Sequence, residues 1–309
     1  MYQVNIPKQY LSHIQVDGLT GRVLNLPSRT NKKTQILFVY GHHSSLERWW
    51  GLMQALSHYG NVTMPDLPGF GGMDSFYKIN KKPELDNFAD YLKEFILKSY
   101  AKNEKIVIAG MSFGFVVATK MLQKYPEMKN RVRLIVSIVG FSDSKDFTLK
   151  PVRKFMYILG SKLVSTKPGS VFFRYVALNP VFLNAFYGRT HNAKHKFKEA
   201  QSRAEIDAIK ATEVRLWHDN DPRTWSYTTI LLLTLKQQDI KIELPVWHVG
   251  VSDDHFFDHK CVENNLSKIY SSVTHINIDA KMHAPSVIAD EQSASGMLPE
   301  ELKAKLAKL

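Results

Sequence analysis

K-I-V-I-A-G-M-S-F-G-F-V-V-A-T, residues 105–119, joins one apolar run to another through a single hydroxyl set between two glycines. Ile106–Ala109 reads as a buried strand, and the apolar spacing from about Phe113 to Tyr125 reads as a helix stopped near Pro126. Such a strand, tight turn and helix would lift the Ser112 hydroxyl above the C-terminal edge of a sheet. The turn leaves no room for side chains at Gly110 and Gly114. The helix start adds free backbone N–H groups that favour developing negative charge. Chance gives a Gly-X-Ser-X-Gly match about 0.1 times in a chain of this size. The competing reading is a glycine-rich turn with a serine helix cap, so the rest of the chain has to decide.

Working outward, strands and helices alternate. Short strands are expected around His13–Val16 and Gly21–Leu26, a buried strand at T-Q-I-L-F-V-Y (34–40), a helix over 46–58 and a strand at N-V-T-M-P-D (61–66). Leu85, Phe88, Tyr91, Leu92, Phe95 and Ile96 give residues 83–101 a helical period, and V-R-L-I-V-S-I-V-G (132–140) is a further buried strand. This alternation predicts a mostly parallel sheet covered by helices on both faces. From about Asp143 to Ile240 the signals become helical, punctuated by Pro151, Pro168, Pro180 and Pro222. Strands return at P-V-W-H-V-G (245–250) and S-V-T-H-I-N-I (272–278), separated by a helix over about 260–270, and the chain closes on a short amphipathic helix. The expected organisation is a core of residues 1–142 and 241–309 interrupted by a helical insertion, 143–240.

The 309 residues suffice for one large domain with an insertion, and 44% hydrophobic residues supply a sizeable core. Cys261 is the only cysteine, so no intrachain disulfide can form, which suits a reducing, cytoplasmic setting. The N-terminus has no apolar signal core, and no apolar run approaches the length of a membrane span. The net charge of +12 raises nucleic acid, an anionic surface or an anionic substrate as partners. No zinc-ligand spacing and no RNA-binding signature accompanies it, so neither nucleic acid nor a metal is expected.

Four motifs, in order, resemble the α/β-hydrolase superfamily. Y-G-H-H-S-S-L-E-R-W (40–49) resembles the segment after the third strand, with Gly41 and Trp49 in place and Tyr40 standing where the family usually has histidine. D-L-P-G-F-G (66–71) resembles the loop after the fourth strand, where Asp66 reads as structural rather than catalytic. G-M-S-F-G (110–114) is similar to the nucleophile elbow, with Phe115 at a position where many relatives carry glycine. D-A-K-M-H-A-P (279–285) resembles the loop that carries the catalytic histidine.

The resemblance implies a Ser-His-Asp triad of Ser112, His283 and an aspartate from V-S-D-D-H-F-F-D (251–258). Counting from Pro245 favours Asp254; counting from Gly250 gives Asp253; Asp258 is the remaining alternative. The backbone N–H groups of His42 and Phe113 map to the oxyanion hole. The insertion falls where the family places a helical lid. It is rich in aromatic residues, expected to pack mostly inward, and holds 16 Lys and Arg against 9 Asp and Glu, a balance of +7. T-I-L-L-L-T-L (229–235) reads as a buried helix of that lid, with an interfacial patch as the alternative.

The expected activity is hydrolysis of carboxylic esters or thioesters of a moderately apolar substrate, without a cofactor, with peripheral lipid contact open. Amidase, carbon–carbon hydrolase, perhydrolase and non-catalytic binding roles share the same elements. Serine at 112 argues against the dehalogenase and epoxide-hydrolase branches, which use aspartate there.

Overall fold

The computed structural model describes residues 5–179, 203–236, 240–252, 254, 256–279 and 290–309. Eight strands form one sheet: β1 (Leu11–Val16), β2 (Leu19–Leu26), β3 (Gln35–Val39), β4 (Asn61–Pro65), β5 (Ile106–Met111), β6 (Val132–Ile138), β7 (Ile242–Val251) and β8 (Tyr270–Ile278). Their spatial order is β1-β2-β4-β3-β5-β6-β7-β8. β2 pairs antiparallel with both β1 and β4; every pairing from β4 through β8 is parallel. A parallel pair needs a crossover connection, and the helices α1 (Trp50–Leu56), α2 (Leu85–Ser99) and α3 (Phe113–Lys124) supply the first of these.

Burial follows position in the sheet. β5 lies between β3 and β6, and each of its six residues is buried, so its side chains are apolar or small without alternation. β1 and β8, at the two edges, bury few of theirs. α2 turns Phe88, Tyr91, Leu92, Phe95 and Ile96 inward, the same residues that set its helical period. The helix read over 46–58 begins as a tighter 3-10 turn, Leu46–Trp49, before α1.

Among the described residues between β6 and β7 the regular elements are helices: α4 (Pro151–Val164), α5 (Lys167–Phe172), α6 (Arg203–Asp219) and α7 (Pro222–Leu233). α8 (His259–Ile269) joins β7 to β8. After the sheet come α9 (Glu291–Ala294), against α1, and α10 (Glu300–Ala307). α9 was not foreseen from the sequence: with one turn it has no period to show, and it is held by tertiary contact. Gly51 of α1 is the one residue small enough there, since a Cβ would lie 2.0 Å from the Asp290 carbonyl oxygen.

The registers bring the strand ends into line. Val39 lies opposite Gly110, Met111 opposite Ile138, Ile138 opposite Val249 and Val251 opposite Ile278. The C-terminal ends of β3, β5, β6, β7 and β8 therefore line one edge. In an open parallel sheet, that carboxyl edge is where ligands bind.

Candidate active site

Ser112 is the first residue past β5 and the N-cap of α3, with φ 47° and ψ −116°. A non-glycine residue at positive φ carries strain. The turn is held on both sides: the Ser112 N–H donates to the Ile138 carbonyl at 3.0 Å, and its own carbonyl accepts from Phe115 at 3.1 Å and Val116 at 3.3 Å. Its neighbours Met111 and Phe113 are buried while Ser112 keeps partial exposure. His43 (φ 55°) and Val139 (φ 44°), in the loops after β3 and β6, share this strained region.

The flanking glycines answer to close packing, not to φ. A Cβ on Gly114 would stand 2.0 Å from the Val39 carbonyl oxygen and 2.5 Å from that of Tyr40; one on Gly110 would stand 2.6 Å from the Phe115 Cα. α3 thus starts almost on top of the end of β3. Gly41 completes the approach: a Cβ there would lie 3.3 Å from the Ser112 Cβ and 3.9 Å from its Oγ. The backbone leading into His42 therefore runs beside the serine hydroxyl.

Tyr40, standing where the family usually has histidine, has a structural explanation. Its hydroxyl donates to Asp66 Oδ1 at 2.9 Å and accepts from the Leu67 N–H at 2.8 Å, clamping the loop after β3 to the loop after β4. Asp66 is fully buried and also takes the Gly72 N–H at 2.8 Å and Arg22 at 2.9 Å. Burial pushes its carboxyl up to about 6 against the pull of Arg22. Glu47 bonds Arg22 at 2.7 Å and Arg215 of α6 at 3.1 Å, tying the helical segment to the sheet. Burial raises the Glu47 carboxyl, and the two arginines outweigh it and hold it below the usual range.

The His42 side chain does something its family position does not require. Its Nε2 lies 2.8 Å from Thr228 Oγ1 and 3.2 Å from the Trp225 carbonyl, both on α7. The Thr228 hydroxyl is itself donated to the Thr224 carbonyl at 2.7 Å, so both atoms facing Nε2 accept, and the proton sits on Nε2. Burial holds this imidazole down to about 4, so it is neutral near pH 7. Rings surround it: Trp225 stacks at 6.0 Å, with Phe70 at 5.6 Å and Phe113 at 6.3 Å edge-on. Next door, His43 meets Trp217 at 4.2 Å and accepts from the Asn220 amide at 3.0 Å. The hydrogen bonds of the two histidine rings span 177 to 186 residues of chain, so no local pattern could reveal them.

On the far side, Asp254 follows β7, is 8% exposed, and accepts the Phe256 N–H on Oδ1 at 2.8 Å. Asp258 is the N-cap of α8, accepting the Cys261 N–H at 3.0 Å. Its carboxylate is engaged in starting a helix. Asp253 and His283 lie outside the described residues. Ser112, His42 and Phe113 meet at the ends of β3 and β5; Asp254 follows β7, with β6 between. His248 lies in β7, where its Nδ1 is 2.9 Å from Ser137 Oγ, and burial lowers it to about 3. Among the described residues, no group of three His, Cys, Asp or Glu side chains could hold a metal ion.

A serine raised on a strained strand-to-helix turn at the carboxyl edge of this strand order defines a hydrolase architecture. A family model for the alpha/beta hydrolase fold matches residues 34–283, and the chain belongs to that family. Among curated proteins, none matches this sequence. Among solved structures, the chain is similar to an esterase from Exiguobacterium antarcticum (TM-score 0.66, 15% identity, 96% of this chain and 97% of the other). It is also similar to the enol-lactonase from Burkholderia xenovorans (TM-score 0.62, 12% identity, 96% and 97%). The epoxide hydrolase CorEH matches with TM-score 0.64, 15% identity, and 96% and 97% coverage. At such identities the shared feature is the fold, and the chemistry must be argued from the residues.

Proposed function

We propose that this hydrolase cleaves carboxylic esters or thioesters of a moderately apolar, acyl-type substrate through an acyl-enzyme. The observation that carries the reading is Ser112 itself, held at φ 47° on the turn from β5 into α3 with its hydroxyl beside the backbone of Gly41. In this mechanism His283 takes the Ser112 proton as Oγ attacks the carbonyl, and Asp254 orients and stabilises the imidazolium. The N–H groups of His42 and Phe113 bind the oxyanion. His283 then returns the proton to the leaving alcohol or thiol, and water resolves the acyl-enzyme by the same route. The helical segment 143–240 acts as the lid over a core of 1–142 and 241–309, and Trp225, Trp217 and Phe173, within 4.7–6.4 Å of one another, are its apolar wall. Serine rather than aspartate at 112 supports ester over epoxide chemistry. The single cysteine suits a reducing, cytoplasmic compartment.

A panel of p-nitrophenyl esters from acetyl to long acyl, run on wild type and Ser112→Ala, tests the reading. Turnover that falls by several orders of magnitude in the variant, with melting unchanged, is expected. Equal turnover in both would remove Ser112 from the chemistry.

A further inference from the structure

α4 is amphipathic the wrong way round. Most of its apolar side chains face solvent: Val152 is 74% exposed, Phe155 64%, Met156 61% and Leu163 66%.

 Leu159 lies on the same stripe, at the i, i+3, i+4, i+7 and i+11 spacing that normally marks a core-facing surface. The side turned toward the protein is the poorer one, and Ser161 is the only residue of α4 that is fully buried. Among the described residues, a Cβ built on Gly160 meets nothing within 4 Å. α5 and the π-helical turn Phe173–Ala177 extend the surface with Phe172, 67% exposed, and Tyr175, 74% exposed.

The charge around this surface has one sign. From Phe147 to Ala177 the sequence carries Lys150, Arg153, Lys154, Lys162, Lys167 and Arg174 and no Asp or Glu. Arg174 is engaged with the carbonyls of His218 and Asn220, while Arg153 and Lys162 are exposed on α4 itself. We propose that α4, α5 and the following turn dock the protein on an anionic lipid bilayer, with the apolar stripe entering the headgroup boundary and the cations meeting lipid phosphates. Exposed aromatic and aliphatic residues on one face with cations beside them are what interfacial binding requires, and the absence of carboxylates removes the repulsion an anionic surface would otherwise exert. A protein partner or a second copy would need no such single-signed charge. No helix among the described residues is long and apolar enough to cross a membrane, so the contact is peripheral. The interfacial patch considered at 229–235 is not the one exposed: Leu232 and Leu233 are buried, and the open surface lies on α4 and α5.

Docking does not depend on hydrolysis, and the two are read separately. The full-length chain is floated with phosphatidylcholine vesicles and with vesicles containing phosphatidylglycerol, as wild type, Ser112→Ala, Phe155→Asp/Leu163→Asp, Met156→Gln and Arg153→Gln/Lys162→Gln. Wild type and Ser112→Ala are expected to bind the anionic vesicles equally, and the neutral ones at least tenfold more weakly. The charge variant is expected to lose about fivefold for each cation removed. The double aspartate variant should lose at least tenfold and Met156→Gln a smaller factor, with melting temperatures unchanged because all these side chains are exposed. Failure of the folded wild type to bind anionic vesicles would overturn the proposal, as would equal binding to both vesicle types or undiminished binding by the double aspartate variant. A wild-type dimer that the same variant converts to monomer, with no vesicle binding in either, would assign the surface to a second copy of the chain.

Discussion

At Ser112 the backbone is held at φ 47° and ψ −116°, a conformation glycine would adopt freely and serine adopts at a cost of about 1 kcal/mol or more. The strain is useful only if the hydroxyl is. Replacing the residue twice separates the two effects. Ser112→Ala and Ser112→Gly are both expected to be inactive, but Ser112→Gly should melt higher than Ser112→Ala, since only glycine relieves the positive φ. Thermal denaturation of the two variants checks this, and equal melting temperatures would mean the turn stores no strain. His42 makes a second case at this scale. Its neutral ring spans from the proposed oxyanion loop to Thr228 at 2.8 Å. Thr228→Val keeps the shape and removes the acceptor. It is expected to lower kcat for esters about tenfold or more, by letting the loop that presents the His42 N–H shift. KM should change less. An unchanged kcat would show that the side-chain bond does not position the loop.

The turn between β5 and α3 works because three backbones converge, and glycine is where they touch. Gly114→Ala places a Cβ 2.0 Å from the Val39 carbonyl oxygen, a backbone atom that cannot swing aside. Overpacking of this kind typically costs about 1–3 kcal/mol, so a melting temperature lower by several degrees is expected. Gly41→Ala meets the Ser112 Cβ at 3.3 Å, a contact that small shifts can absorb. That variant should keep most of its stability and lose activity, because the added methyl crowds the serine. The order of strands and helices was legible in the sequence because each element carries its own period: the all-apolar run of β5, the inward stripe of α2, the glycines of the turn. So were the position of Ser112 and the acidic loop after β7. The reason for Tyr40 was not, since its partner Asp66 lies in another loop. The outward stripe of α4 was not legible either. A helical period reports that one face is apolar, and only the fold reports whether that face looks inward. Phe155, Tyr157, Phe172 and Tyr175, expected to pack mostly inward, are exposed.

Across the whole molecule, buried titratable groups set the response to acid. His248 falls from 6.5 to about 3 on folding and His42 from 6.5 to about 4, so between those values the unfolded chain binds protons that the folded chain refuses. Stability must then fall as pH drops below about 6.5. Asp66 opposes this, since its rise from 3.8 to about 6 makes the folded state the better proton binder in that window. Two histidines against one carboxyl leave a net loss of about 1 kcal/mol per pH unit on acidification between roughly pH 6 and 4. Chemical denaturation over that range measures it, and His248→Gln should flatten the slope while keeping a partner for Ser137. An unaltered slope in that variant would mean His248 does not stay neutral in the fold. The proposed triad draws on equally distant parts of the chain: Ser112 follows β5, Asp254 follows β7, and His283 comes after β8 in the sequence.

The most direct measurement is covalent labelling of the intact chain with a fluorophosphonate, located by peptide mass spectrometry. One modified residue is expected, Ser112, with labelling lost in Ser112→Ala and slowed by orders of magnitude in His283→Ala, both variants folded. A folded wild-type chain left unlabelled, or labelled at another residue and unaffected by either substitution, would contradict Ser112 as the nucleophile.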